Sequence, residues 1–235
     1  MTPSTNSSIT DRDIRQRSIV PPERLAACHA LVIGVGAIGR QVALQLAALG
    51  MPRLTLFDDD DVGVENLAPQ GYWPEDLGTS KVLSTLALCR RINPENEITA
   101  HAERFKRSTA SQLPSGEGLI VFACVDSITT RKLLWECLRN RAALFVDGRM
   151  SAEVIRVLAV ASPATDRYYA TTLFGAGEAY AGACTARSTI FTASVAAGLM
   201  VAQMTKWLRR LPVDPDLTLN LLSAELTAAD NLTER

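Results

Sequence analysis

The stretch Phe57 to Tyr72, FDDDDVGVENLAPQGY, places four carboxylates in a row behind a short apolar run and follows them with Asn66. Crowded like charges call for a counter-group: a metal, the hydroxyls of a bound ligand, or solvent. Upstream, Gly34, Gly36 and Gly39 form a GxGxxG turn, with Ala37 inside it, between an apolar run and an apolar-faced stretch. There, free backbone N–H groups and the positive end of a helix can receive a phosphate; the plainer alternative is a glycine turn needed only for packing. Asp58 follows the last glycine by about twenty residues, at the end of the next apolar run, where a carboxylate can accept from ribose hydroxyls. That placement suits NAD and ATP alike.

Two further groups favour a nucleotide triphosphate. Lys81 opens a helix behind Gly78, Thr79 and Ser80, so its ammonium can fold back toward phosphates. Asp126 ends the run GLIVFACVD, at the carboxyl edge where open α/β sheets bind ligands, and an acidic oxygen there can hold Mg²⁺. The plainer roles are a solvated helix lysine and an N-cap for a helix starting at Ser127. Hydride transfer normally needs a proton donor near the reacting carbon. His29 stands at a strand start and His101 in an extended segment away from any strand's carboxyl end, so both read as structural or surface residues.

The elements that must position these groups alternate. Ala30 to Ile33 reads as a buried strand, followed by the glycine turn and a helix stopped near Gly50; RLTLF is a second strand and TSKVLSTLALCRRI a helix. GLIVFACVD, SITTRKLLWECLRNRA and ALFVDGRM continue as strand, helix and strand. The expected fold is α/β: a Rossmann-like, doubly wound, mainly parallel sheet. After Glu153 the pattern changes to a C-terminal elaboration, with EVIRVLAVA and LTLNLLSAEL as strands flanking one long helix.

Composition narrows the classes. In 235 residues, 24 basic and 25 acidic side chains leave a net charge of −1, so no global field favours nucleic acid or an anionic membrane. The polar start, MTPSTNSSITD, lacks a signal-peptide pattern and no apolar run is long enough to span a membrane, so a cytoplasmic protein is expected. Residues 1–10 read as a disordered tail and 11–235 as one domain. The five cysteines form no CxxC pair. Cys28, Cys89, Cys124 and Cys137 sit in apolar segments as buried hydrophobes; Cys184 lies apart, among small and polar residues.

The motifs LVIGVGAIG, FDDDDVGVENLAPQ, LGTSKV, CVDS and GRM, in this order, resemble the ThiF/MoeB-type adenylyltransferase family, relatives of the ubiquitin-activating enzymes, across residues 14–222. The resemblance implies ATP-dependent adenylation of the C-terminal glycine carboxylate of a ubiquitin-like or sulfur-carrier protein. On the matching positions it places Gly34, Gly36, Ala37 and Gly39 against ATP, Asp58 and Asp60 on the ribose side, Asn66 and Lys81 on the phosphates, and Asp126 on Mg²⁺. Asp59 and Asp61 are expected to face solvent. The resemblance also implies that Arg15, in RDIRQ, reaches the ATP of a partner subunit in a homodimer, and that Cys184 takes the acyl group from AMP before a conjugating enzyme or sulfur donor receives it.

One departure bears on activity. The family pattern NLxRQ carries Pro69 at its arginine, which removes a phosphate-contacting cation; Arg104, Arg149 or Arg187 could replace it, or adenylation could be weakened. Three readings follow: activation through a thioester, adenylation that stops at the acyl adenylate with Cys184 incidental, and a non-catalytic nucleotide-binding scaffold.

Overall fold

The computed structural model describes residues 12–113, 118–173 and 188–229. A short helix α1 (Pro22–Leu25) leads into β1 (His29–Ile33), α2 (Ala37–Leu49), β2 (Arg53–Phe57), α3 (Val64–Gln70), α4 (Lys81–Ile92) and β3 (Glu97–His101). Then come α5 (Arg107–Gln112), β4 (Leu119–Ala123), α6 (Ile128–Leu138), β5 (Leu144–Ser151), β6 (Val154–Val160), α7 (Pro163–Thr171), α8 (Ile190–Leu208), β7 (Asp216–Asn220) and β8 (Glu225–Ala228).

The strands make one eight-stranded sheet in the order β3-β2-β1-β4-β5-β6-β7-β8. β1 to β5 pair in parallel and β6 to β8 antiparallel. The central strands β1 and β4 and the start of β5 are mainly apolar because both faces are covered, and alternate residues serve different cores, whereas β8 at the sheet edge is exposed. Ala30 and Val32 of β1 join the cluster under α2, α4 and α8, whereas Leu31 and Ile33 join the one under α5, α6 and α7. This is the doubly wound, mainly parallel architecture with a C-terminal elaboration.

Register decides where chemistry can occur. Ile33 pairs with both Phe57 and Ala123, so β1, β2 and β4 end together, level with Asp147 inside β5, which runs on to Ser151 against β6. The residues that follow Ile33, Phe57 and Ala123 therefore share one edge, and the chain leaves β1 toward opposite neighbours on its two sides, the position of a ligand crevice in such sheets.

The C-terminal region departs from expectation in one respect. LTLNLLSAEL is two strands rather than one, because the Asn220 side chain accepts from the N–H groups of Leu222 at 3.1 Å and Ser223 at 3.4 Å, folding the chain back. Helices α3 and α7 also lie where no helix was expected; α7 has a reciprocal cap between Ser162 and Thr165.

Candidate active site

The glycine turn is sterically specified. Gly34 holds φ of +85°, and a Cβ there would lie 2.7 Å from the Cys124 carbonyl oxygen. A Cβ on Gly39 would lie 1.8 Å from the Gly34 oxygen, so the turn folds tightly onto the start of α2. Gly36 differs. It caps the thirteen-residue α2, followed at once by Ala37, and a Cβ there would meet nothing closer than the Gln70 side chain at 3.9 Å. The positive end of α2 therefore opens outward, with room for an anion.

The acidic run has a separate counter-group for three of its members. Asp58 accepts from the Val35 N–H at 2.6 Å and the Asp60 N–H at 2.9 Å. Burial pushes its carboxyl above the usual range, against the opposing pull of those two donors and of Lys81. Asp59 pairs with Arg104 at 2.7 Å and Asp60 with Lys81 at 2.8 Å, while Asp61 is exposed. Thus Asp59 is ion-paired as well as partly exposed, and Arg104 is already engaged at the run's edge. Asp58, Asp59 and Asp60 bring oxygens within 4.8 Å of one another, but their existing donors and cations account for the cluster. Asn66 turns its side chain back, Oδ1 accepting from the Gly63 N–H at 2.9 Å to cap α3.

His101 lies closer to this edge than its sequence position indicated. It is the last residue of β3, its ring stacks on Phe57 at 4.4 Å, and its carbonyl accepts from the Asp58 N–H at 3.3 Å. A turn and a parallel pairing that local sequence does not encode bring it there. His29 donates to or accepts from Thr55 at 2.8 Å, a structural contact.

Asp126 sits in the turn after β4, exposed, and makes no hydrogen bond or ion pair among the described residues. Ser127 is the N-cap of α6, accepting from the Thr130 N–H at 3.4 Å, so Asp126 is not consumed by capping. The turn is pinned from below. Arg131 donates to the Val125 carbonyl and to Asp147, which is 0% exposed. Asp147 also accepts from Arg149 Nε at 2.8 Å and Tyr169 at 3.0 Å, and Arg149 reaches the Thr172 carbonyl at 3.1 Å. Burial, followed by repulsion from Arg149, pushes the Arg131 guanidinium down to about 10. Sequence reading missed this network; an aspartate directly after an apolar run, in FVDGR, was its one visible signal.

One expected residue, Arg15, lies away from this cluster. Arg15 is exposed within 12–19, a segment held at the far end of α2, where Arg12 donates to the Ala48 carbonyl at 3.2 Å and Gln16 to the Leu49 carbonyl at 3.0 Å. A thirteen-residue helix is about 20 Å long. That length separates Arg15 from Gly36 of its own chain. Cys184 and Arg187 lie outside the described residues. Burial pushes the thiol of Cys28 up to about 11 and those of Cys89 and Cys124 up to about 12, as suits inert core thiols.

The ThiF family model matches residues 11–234. The chain belongs to the ThiF family. Adenylyltransferase and sulfurtransferase MOCS3 of Sus scrofa is 38% identical over 126 residues, 50% of this ThiF-family chain and 28% of that protein. SAMP-activating enzyme E1 of Haloferax volcanii is 32% identical over 154 residues, 63% of this chain and 57% of its own. The chain thus spans less than two thirds of either relative. Among solved structures, E. coli MccB with AMPCPP and MccA shares the fold, with a TM-score of 0.72 over 96% of this chain and 72% of that one, at 16% identity. No helix among the described residues is long and apolar enough to cross a membrane.

Proposed function

We propose that this ThiF-family chain uses ATP to adenylate the C-terminal glycine carboxylate of a ubiquitin-like or sulfur-carrier protein. The observation that carries the reading is the shared edge: the open end of α2 at Gly36, the Asp58 carboxylate and the free Asp126 all follow strands that end in register. The adenylyltransferase MOCS3 and the SAMP-activating enzyme among the relatives, and the AMPCPP with which MccB was solved, point the same way.

A C-terminal carboxylate is ionised at neutral pH, so the step needs no general base. The barrier is the approach of one anion to another, and the residues act by alignment and neutralisation. Asp58 receives the ribose hydroxyls. The N–H groups after Gly36 face the phosphates, and Lys81 exchanges its contact with Asp60 for a phosphate oxygen. Asp126, a free hard oxygen donor, suits Mg²⁺, which when bound supplies charge neutralisation at the phosphates. Arg15 serves the site of a second subunit, which makes the active form a homodimer.

In the next step a Cys184 thiolate attacks the acyl-adenylate carbonyl. The C–S bond forms as the bond to the AMP oxygen breaks, and AMP leaves. The acyl group then passes to a conjugating enzyme. The word sulfurtransferase in the name of the Sus scrofa relative favours a second reading, in which the adenylate goes directly to sulfur transfer. Intact-mass analysis after incubation with ATP, Mg²⁺ and a Gly-ended ubiquitin-like protein separates the two. The first reading predicts a thiol-sensitive adduct, lost in Cys184→Ala with build-up of acyl adenylate. An adenylate without any Cys184 adduct supports the second, and neither product refutes both.

A further inference from the structure

Arg40, one turn into α2, is 1% exposed. Its partners are neutral: Nη1 donates to Thr85 Oγ1 at 3.1 Å and Nη2 to the Gly71 carbonyl at 3.0 Å, while the guanidinium lies 4.0 Å over the Tyr72 ring. Nε has no hydrogen-bond partner, and no carboxylate among the described residues pairs with this charge. Buried charges are ordinarily paired, because desolvation without compensation is costly. A guanidinium left with neutral acceptors, an aromatic face and an orphan N–H is a charge awaiting an anion.

Its position says where that anion binds. The Arg40 N–H donates to the Gly36 carbonyl at 3.0 Å, so the two residues share one face of α2, about 6 Å apart along the axis. Gly36 opens that same face toward the cleft, with the Gln70 side chain beside it. Gln70 Oε1 is the other buried orphan here, and the carbonyl that Arg40 holds belongs to Gly71, the C-cap of α3. Pro69 stands in the last turn of that helix. The guanidinium is also tied to the ribose side: the Tyr72 hydroxyl donates to the Val35 carbonyl at 2.7 Å, and the Val35 N–H donates to Asp58.

We propose that Arg40 supplies, from beneath the N-terminus of α2, the positive charge for the phosphate end of the nucleotide that position 69 does not provide. It acts through its field rather than by contact, and little water intervenes to screen it. The helix end and the buried guanidinium add at one place, so the site discriminates for phosphorylated ligands over the bare nucleoside. This inference rests on the nucleotide reading of the cleft.

The test compares ATP and adenosine affinities of wild type, Arg40→Gln and Arg40→Lys by titration calorimetry at fixed salt. Arg40→Gln is expected to weaken ATP binding about tenfold, the effect of one weakly screened charge, with adenosine affinity unchanged; Arg40→Lys retains most of the ATP affinity. Equal losses for ATP and adenosine would assign Arg40 to packing of Tyr72 and overturn the proposal, as would no loss at all. If Arg40→Gln does not fold, the Nε–H resonance of Arg40 in ¹⁵N-arginine-labelled wild type decides: a shift with ATP but not adenosine supports the proposal, and the same response to both overturns it. Wild type that binds neither ligand removes the nucleotide reading itself.

Discussion

Lys81 donates to Asp60 across 2.8 Å, and the pair is unequally covered, with the lysine side chain 7% exposed and the aspartate 62%. The ammonium is fixed and its partner is replaceable. An arriving phosphate therefore competes with an exposed, hydrated carboxylate for a pre-placed cation, a geometry that favours charge developing late in the reaction.

Lys81→Ala is accordingly expected to lower pyrophosphate exchange by about a hundredfold or more, the range for removal of one preorganised electrostatic contact. Circular dichroism should show the variant folded, since its partner is at the surface. Near-normal exchange would remove Lys81 from the phosphate role.

Asp58 gives a pH signature. Burial leads the causes that raise its carboxyl above the ordinary value, despite the N–H donors of Val35 and Asp60. A raised folded value means that its contribution to stability is present below the unfolded value and lost as pH rises through the folded one. Ribose binding needs the ionised form and runs oppositely. Adenosine affinity should fall on acidification, beginning above the normal carboxylate range, and Asp58→Asn should flatten that profile. A wild-type profile that stays flat down to about pH 4 contradicts the assignment.

The fold was legible where hydrophobic runs and glycines carry it. GLIVFACVD reads as a strand because every residue of Leu119–Ala123 is buried, and Gly50 stops α2 because it adopts φ of +86°. What local sequence could not show depends on pairing between distant segments. His101 reaches the cleft only because β3 lies parallel beside β2. Arg40 follows the glycine motif yet gives no sign of being buried, since its cover comes from Tyr72 and Thr85 on later elements. The LTLNLLSAEL segment misled because its alternation continues through a turn made by a single asparagine side chain.

The Asp147 network predicts a stability effect. Asp147→Asn leaves Arg131 and Arg149 without their shared charge partner, and loss of one member of a buried pair costs about 3–5 kcal/mol. Urea unfolding should show that loss. Because Arg131 also holds the Val125 carbonyl, exchange activity should fall even under conditions where the variant is folded. An unchanged midpoint would mean the two arginines find compensation elsewhere.

With its segment held at the far end of α2 from Gly36, Arg15 can fill the proposed role only if a second subunit is present. Mixing Arg15→Ala with Lys81→Ala subunits should restore part of the activity, up to about a quarter of wild type for random pairing in which one site of each heterodimer keeps both residues. Heterodimers shown to form without any rescue would contradict a role for Arg15 across the subunit boundary.

The most direct measurement is ATP–pyrophosphate exchange with and without a ubiquitin-like protein ending in glycine, for wild type and Asp126→Asn. The account predicts Mg²⁺-dependent exchange that appears only with the protein partner, is abolished by removing its terminal glycine, and is lost by about a hundredfold or more in Asp126→Asn. Wild-type exchange that is independent of any partner, or undiminished in Asp126→Asn, would contradict it.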